Sequence, residues 1–159
     1  MPKVTNVTNI KITKEGLEKL KAELKELLEN KRPEVAKRIQ TARENGDISE
    51  NAEYDAARIE QATVEGRIEE LEEIIRNAKV EDSKGQKDIV GLGCKVTVHI
   101  DGEEETFNIV GAPEANPLEK KVSHESPLGR ALSGKKVGEK IEVTAPMGKL
   151  IYTIKEIKY

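Results

Sequence analysis

The sequence of 159 residues predicts an α+β protein: an N-terminal antiparallel coiled-coil helical hairpin, followed by a small β-sheet domain with one short helix. Three observations predict this fold. The composition changes near residue 80, from Glu, Lys, Leu and Ala to Gly, Val, Ile and Thr. Before that point, apolar residues recur every three or four positions, which is typical of coiled-coil helices. After it, short runs of β-branched residues alternate with glycine turns, which is typical of strands.

The first helix is predicted to begin at Thr13, a residue type that often caps helix N-termini. Its apolar positions are Leu17, Leu20, Leu24, Leu27, Leu28, Val35, Ile39 and Ala42. The spacing slips by one place at Leu27 and Leu28, close to Pro33. Because proline lacks a backbone donor, we expect it to kink or interrupt the helix there.

The second helix has an apolar seam without a slip. Its positions alternate by three and four: Tyr54, Ala57, Gln61, Val64, Ile68, Leu71, Ile75 and Ala78. Between the two helices, Asn45-Gly46 is the only strong turn signal. The sequence therefore predicts that the two helices fold back on each other.

The C-terminal half is predicted to form a small curved sheet. Asp101-Gly102 marks a hairpin between strands at 95–100 and 106–110. Ser126 and Pro127 are typical of a helix start, here of a short helix over 128–133, and two more strands follow at 140–144 and 150–157. The polar stretch 81–88 is predicted to link a hairpin domain, 1–80, to a globular domain, 89–159.

Composition and charge exclude several classes of protein. The formal net charge is −3, from 27 basic and 30 acidic residues, so tight autonomous binding to duplex DNA is not expected. No apolar run is long enough for a membrane span, so we expect a soluble cytoplasmic protein. A single cysteine, Cys94, excludes an intrachain disulfide, and it is expected to be a small packed residue. His99 and His124 lack partners at metal-ligand spacing, which argues against structural zinc.

Charge is unevenly distributed around the predicted turn. Five acids and no base lie between residues 44 and 55: Glu44, Asp47, Glu50, Glu53 and Asp55. Residues 31–43 carry five bases and one acid. Acids at a turn suit Mg²⁺, and a basic stretch suits a phosphate backbone. Taken alone, Asp47 and Glu50 also fit a helix capping box, and the basic stretch fits an ordinary solvated helix face.

Two longer sequence motifs resemble those of a known protein family. Residues 43–54, Arg-Glu-Asn-Gly-Asp-Ile-Ser-Glu-Asn-Ala-Glu-Tyr, followed by Ala56-Ala57-Arg58, resemble the tip of the GreA family of bacterial transcription elongation factors. Residues 126–132, Ser-Pro-Leu-Gly-Arg-Ala-Leu, with Gly-Lys-Lys-Val-Gly at 134–138, resemble the C-terminal signature of the same family. The motifs occur in the order that the family has, and the resemblance extends over essentially the whole chain.

The resemblance implies a function inside RNA polymerase. The hairpin would enter the secondary channel of the enzyme, where Asp47 and Glu50 help to hold its second catalytic Mg²⁺ and orient a water. The polymerase would then cleave the 3′ end of a backtracked nascent RNA and resume elongation. On this interpretation the chain is an accessory factor, not an enzyme, and binds no cofactor stably on its own.

The resemblance also implies contacts beyond the acidic pair. Arg43 and Arg58 are expected to contact RNA or channel phosphates, while Asn51 and Tyr54 belong to the same contact surface and shape the tip. The globular domain would have an FKBP-like fold and dock on the polymerase through Glu125, Ser126 and Pro127. We expect the chain to be a monomer.

Three other functions compete with this interpretation. A related factor could block the channel and inhibit transcription. An FKBP-like half could be a prolyl isomerase, although only Phe107 and Tyr152, apart from the terminal Tyr159, supply aromatic rings after residue 88. The third alternative is a coiled-coil interaction module, but such a module would not need an acidic tip next to a basic stretch.

Overall fold

The computed structural model of the protein describes residues 9–46, 51–81 and 88–159. These residues form two compact units. One unit combines the chain up to Leu17 with Ala78–Tyr159, and the other is Glu18–Asn77. The predicted fold class is confirmed, because a long helical hairpin precedes a β-sheet that carries one short helix.

The hairpin is built from three α-helices: α1, Lys14–Glu26; α2, Arg32–Glu44; and α3, Ala52–Asn77. Thr13 caps α1 as predicted, since the Gly16 N–H donates to its hydroxyl at 3.0 Å. The predicted apolar seam of the second helix extends one residue beyond the end of that helix. Ala78 does not continue α3 but begins strand β2, Ala78–Val80, which pairs in parallel with β1, Ile10–Ile12.

The predicted interruption near Pro33 takes the form of a π-helical segment, Leu27–Lys31, between α1 and α2. The Arg32 N–H donates to the Leu27 carbonyl five residues back, instead of the usual four. A π turn contains one more residue than an α turn, so it absorbs the one-place slip of the apolar stripe. The first arm therefore presents a continuous apolar face despite the slip.

The seam of the hairpin is confirmed. Buried residues from both arms form one apolar cluster: Val35, Ile39, Ala57, Val64 and Ile68. Leu24, Leu27, Leu28 and Tyr54 pack against it and are partly buried. Burial of this seam holds α2 against α3 and leaves the charged side chains along its margins.

The unit that combines the chain up to Leu17 with Ala78–Tyr159, which we call the sheet unit, contains a five-stranded sheet. Its strands are β3, Lys95–Ile100; β4, Glu103–Val110; β5, Lys121–Ser123; β6, Lys140–Ala145; and β7, Gly148–Lys158. Their order across the sheet is β5-β4-β3-β7-β6. Only the β4–β5 pair is parallel. The predicted strands and hairpin turn are confirmed, but β1, β2 and β5 were not predicted, because three residues are too few to show a period of two.

The short helix α4, Pro127–Leu132, packs on one face of this sheet through its fully buried Leu132. Ser126 caps α4 as predicted, since its hydroxyl accepts the Gly129 N–H at 3.0 Å. Cys94 is fully buried in the same core, as expected. Phe107 and Tyr152 also lie in the core, each only 8% exposed.

The compact units differ from the predicted domains at the N-terminal end. Residues up to Leu17 belong with the sheet, because β1 pairs with β2 and the Thr13 N–H donates to the Glu114 carboxylate at 3.0 Å. The predicted linker, 81–88, falls largely on residues 82–87, which lie outside the described part of the chain. Of the helices in the described ranges, none is both long and apolar enough to cross a membrane.

Candidate functional site

The candidate site lies where the two arms of the hairpin meet. α2 ends at Glu44, and α3 begins at Ala52. We call residues 42–46 and 51–54 the tip base. Gly46 has a φ of 147°, a conformation that residues with a Cβ rarely adopt, which accounts for the Asn-Gly turn signal. Asp47 and Glu50, the predicted metal-binding pair, lie outside the described residues, so their role stays a prediction.

Asn51 uses both ends of its side-chain amide within the hairpin. Its Oδ1 accepts the N–H groups of Glu53 at 3.1 Å and Tyr54 at 3.2 Å, so Asn51 caps α3. Its Nδ2 donates to the Ala42 carbonyl at 2.7 Å, which ties the start of α3 to the end of α2. Asn51 therefore takes the cap position of α3, while the capping-box interpretation of Asp47 and Glu50 falls on residues outside the described part of the chain.

A second contact crosses the tip base. The Arg43 guanidinium lies 5.8 Å from the centre of the Tyr54 ring, within the range of a cation–π interaction. Tyr54 itself packs against the apolar seam. Arg58, one turn further along α3, is exposed and donates to the Gln61 side chain at 2.9 Å. Arg43 and Arg58 therefore both keep their charge at the surface of the hairpin.

Two of the other acids near the turn, Glu53 and Glu44, have partners of their own. Glu53 accepts a hydrogen bond from Arg38 at 3.0 Å, which balances its charge. Glu44 accepts a longer bond from Gln40 at 3.3 Å. Asp55 is exposed on α3. Carboxylate oxygens suit Mg²⁺, but pairing with Arg38 makes Glu53 a poor candidate ligand.

The basic stretch of α2 is largely paired with α3. Lys31 lies 2.7 Å from Glu60, which also binds Arg38, and the side-chain hydrogen bonds from Lys31 and Arg38 lower the pKa of Glu60. Arg32 makes two bonds of 2.7 Å to Glu65 and lowers the pKa of that carboxyl. The predicted phosphate-binding surface is therefore smaller than the sequence indicates.

Lys37, like Arg43, is a base of this stretch that remains available. It is exposed and makes no ion pair within the described ranges. It lines a crevice beside the tip base together with Glu34, Thr41 and Asn45. With Arg43 and Arg58, it supplies the positive charge on this part of the hairpin.

The predicted docking residues form a tightly bonded turn before α4. The Ser126 hydroxyl donates to the Ser123 carbonyl at 2.7 Å, and the Glu125 N–H donates to the Ser123 hydroxyl at 3.1 Å. Glu125 and Pro127 are exposed. A Cβ at Gly129 would lie 1.9 Å from the Ser123 carbonyl, so this position of the motif requires glycine. The turn thus presents Glu125 and Pro127 from a fixed backbone.

Sequence reasoning missed Glu114. Its carboxylate accepts the N–H of Thr13 at 3.0 Å and of Gly111 at 2.9 Å, and it also accepts the Thr13 hydroxyl. It therefore ties the start of α1 to Gly111 within the sheet unit. Gly16, a glycine in the first turn of a helix, was the only signal in the sequence, and it did not identify the partner.

Two family models match the chain. The model of the transcription elongation factor N-terminal domain matches residues 10–80, and that of the GreA/GreB C-terminal domain matches residues 85–159. These matches, on a hairpin followed by a sheet domain, define the class of protein as a transcription elongation factor. The chain belongs to the GreA/GreB family.

Individual relatives agree with this assignment. The transcription elongation factor GreA of Thermomicrobium roseum is 48% identical over 151 residues, which cover 94% of this chain and 97% of that protein. GreA of Lactococcus lactis is 52% identical over 150 residues, covering 92% and 95%. Among solved structures, GreA factor homolog 1 of Thermus thermophilus is 32% identical, with a TM-score of 0.45 over 95% of this chain and 99% of that one.

Proposed function

We propose that this chain enters the secondary channel of bacterial RNA polymerase and stimulates the polymerase's own cleavage of backtracked nascent RNA. The single observation that supports this most is the tip base, where the Asn51 side chain joins the start of α3 to Ala42 near the end of α2, on either side of the sequence that contains Asp47 and Glu50. The factor acts in the cytoplasm as a monomer and turns over no substrate of its own. Its partners are the polymerase and the 3′ end of the nascent RNA.

Asp47 and Glu50 are the acids best suited to bind a metal ion. They lie three residues apart in sequence, and Glu53 is already paired with Arg38. Carboxylate pairs suit Mg²⁺, which keeps several of its waters and completes its ligand set from substrate. A shared Mg²⁺ would supply charge stabilisation in phosphodiester cleavage, as in other two-metal sites. The contribution of this chain is to hold the two carboxylates in place.

Other surfaces of the chain would guide and hold the complex. Lys37, Arg43 and Arg58 provide exposed positive charge beside the turn, which favours contact with RNA or channel phosphates. Glu125, Ser126 and Pro127 provide the docking turn of the globular domain. Exposed Glu125 and Pro127 on a fixed backbone suit a contact that anchors the factor outside the channel.

The prolyl isomerase alternative is not favoured. The aromatic rings that such a pocket would need, Phe107 and Tyr152, are each 8% exposed and are part of the sheet core. They therefore cannot serve as the walls of an open pocket without unpacking that core.

The test uses stalled, backtracked elongation complexes. We expect Asp47→Ala and Glu50→Ala each to reduce stimulated cleavage about 100-fold or more, by analogy with the loss of one preorganised catalytic group. Binding, measured by competition with the unmodified factor, should be nearly unchanged, and raising Mg²⁺ should partly restore cleavage. Asp55→Ala is the matched control, because it removes an exposed acid of the same region.

Equal damage from Asp55→Ala would mean that the tip acts only as diffuse negative charge. If the unmodified factor blocks nucleotide addition without stimulating cleavage, the chain is a channel inhibitor instead.

Incubation of the factor with labelled RNA and Mg²⁺, without polymerase, should give no cleavage of the RNA. Steady cleavage there, surviving repurification, would show an enzyme in its own right.

A further inference from the structure

Asn45 is the one asparagine of the chain that a glycine follows. The backbone nitrogen of the next residue can attack the side-chain carbonyl carbon of an asparagine, and a side chain on that next residue crowds the attack. Because Gly46 has no Cβ, its nitrogen stays accessible. The Asn45–Gly46 pair therefore has the covalent chemistry for loss of the side-chain amide.

The local structure leaves this pair free to react. Asn45 lies directly after the last residue of α2, Glu44, and both Asn45 and Gly46 are exposed. Asn45 has a ψ of 3°, so the attack requires rotation about this angle. Among the described residues, no hydrogen bond holds the peptide group between Asn45 and Gly46 against that rotation, and none holds the Asn45 side chain.

Other asparagines of the hairpin are held by hydrogen bonds of their side-chain amides. Asn77 also lies at a helix end, but its Nδ2 donates to the Glu73 carbonyl at 3.0 Å, and an alanine follows it. Asn30 donates to Glu26 at 2.6 Å. Rotation of these amides into a reactive position breaks a bond, whereas Asn45 has none to break within the described ranges.

We propose that Asn45–Gly46 is a site of spontaneous deamidation, and that its isoaspartyl product loses stimulated cleavage. The Gly46 nitrogen bonds to Cγ of Asn45, and the side-chain NH₂ leaves as ammonia with the proton of the Gly46 N–H. Water then opens the succinimide ring that results. Opening at Cγ gives aspartate, and opening at the backbone carbonyl carbon gives isoaspartate.

Both products change the end of α2. Each carries a carboxylate where the Asn45 amide is neutral, and negative charge at a helix C-terminus opposes the helix dipole. In isoaspartate the main chain also runs through Cγ, which lengthens it by one carbon before Gly46. The loss of cleavage rests on the proposed function. Asp47 follows two residues later in the sequence, and groups that act in catalysis tolerate little displacement.

The first arm of the test needs no polymerase. The purified full chain is aged at mildly alkaline pH and followed by peptide mass spectrometry. We expect Asn45 to convert from amide to acid several-fold faster than Asn77, with fragmentation separating Asn45 from Asn51 in the same peptide. Enzymatic methylation of the free α-carboxyl group should identify isoaspartate at this position. Asn45→Gln should lose the conversion, because the attack would then have to close a larger ring.

The second arm measures cleavage in stalled complexes at saturating factor, and compares each aged protein with its own fresh sample. The rate of the unmodified chain should fall in proportion to its isoaspartyl fraction. A fully isoaspartyl sample should be about tenfold slower or more. The Asn45→Gln chain, aged in parallel, should keep the rate of its fresh sample, which separates deamidation from other damage.

Conversion of Asn45 no faster than that of Asn77 would overturn the site. Full cleavage by a largely isoaspartyl sample would overturn the functional half of the proposal, as would an equal loss of rate in the aged Asn45→Gln chain. Failure of the proposed function is seen separately, as an absence of stimulated cleavage with the fresh, unmodified factor.

Discussion

Glu114 and Gly16 show how a single residue can fix the first turn of α1 within the sheet unit. The carboxylate of Glu114 binds Thr13 and Gly111 at the start of the helix, where an acceptor also complements the helix dipole. A Cβ added at Gly16 would lie 1.8 Å from the Glu114 carboxylate oxygen. A side chain at this position would displace the Glu114 carboxylate, so glycine is favoured here by close approach and not by an unusual backbone conformation.

We expect Gly16→Ala to destabilise the protein, although alanine normally favours a helix. The Glu114 side chain must move and lose its bonds, for a cost of about 1–3 kcal/mol. Gly66→Ala is the matched control, since Gly66 lies in α3 with open space around it and should gain about 0.5–1 kcal/mol. Thermal unfolding followed by circular dichroism measures both. Stabilisation by Gly16→Ala would contradict the close approach to Glu114.

At the scale of elements, the sequence predicts the helices and strands that show a hydrophobic period, and the turns that carry a strong turn signal. The seam residues, the hairpin at Asp101-Gly102 and the caps Thr13 and Ser126 were predicted, because each depends on local residue types. The slip near Pro33 predicted an interruption but not its π-helical form, which follows from packing both halves of the stripe against α3.

The candidate site was less predictable, because it depends on contacts between the arms. The motif drew attention to Asn51, but only the structure shows that its amide bonds to Ala42 and caps α3. Likewise, the basic stretch gave no sign that Lys31 and Arg38 share Glu60. Pairing across a hairpin depends on the register of two distant segments, which residue spacing within one helix does not determine.

The shared carboxylate of Glu60 gives the hairpin a pH-dependent contribution to stability. Lys31 and Arg38 lower the pKa of Glu60 below its ordinary value of 4.5. The folded state therefore gains stability that is present above pH 4.5 and is lost as the pH falls through the lowered pKa. Added salt weakens the same interaction, because these groups are near the surface.

We expect Glu60→Gln to lower the melting temperature at neutral pH and low salt. The gap from the unmodified chain should narrow as the pH falls below 4.5, and also as salt is added. Thermal unfolding over a pH series measures this gap. Glu69→Gln removes an exposed α3 acid without an ion pair among the described residues, and it should show little effect. A gap independent of both pH and salt would mean that Glu60 acts through packing alone.

At the scale of the whole molecule, the sheet unit has an apolar core of its own. The buried residues of that core all lie between Val90 and Ile154. The hairpin has a separate seam, from Val35 to Ile68. The turn before α4 and the tip base thus belong to different cores. On the proposed function, joining them in one chain would raise the effective concentration of the tip near the polymerase once the sheet unit is bound.

This arrangement predicts that the two functions can be separated. A fragment of residues 88–159 should fold, bind the polymerase and fail to stimulate cleavage, since it keeps the sheet core and Ser126 but lacks the tip. It should melt at a lower temperature than the same sheet in the full chain, because Glu114 loses Thr13 and the strand pair β1–β2 is absent.

A fragment of residues 1–81 should stimulate cleavage only at high concentration, because it has lost its covalent link to the sheet unit. Circular dichroism checks the fold of each piece, competition measures binding and stalled complexes measure cleavage. If residues 88–159 fold but do not bind, while residues 1–81 bind as tightly as the full chain, docking belongs to the hairpin and the role proposed for Glu125, Ser126 and Pro127 fails.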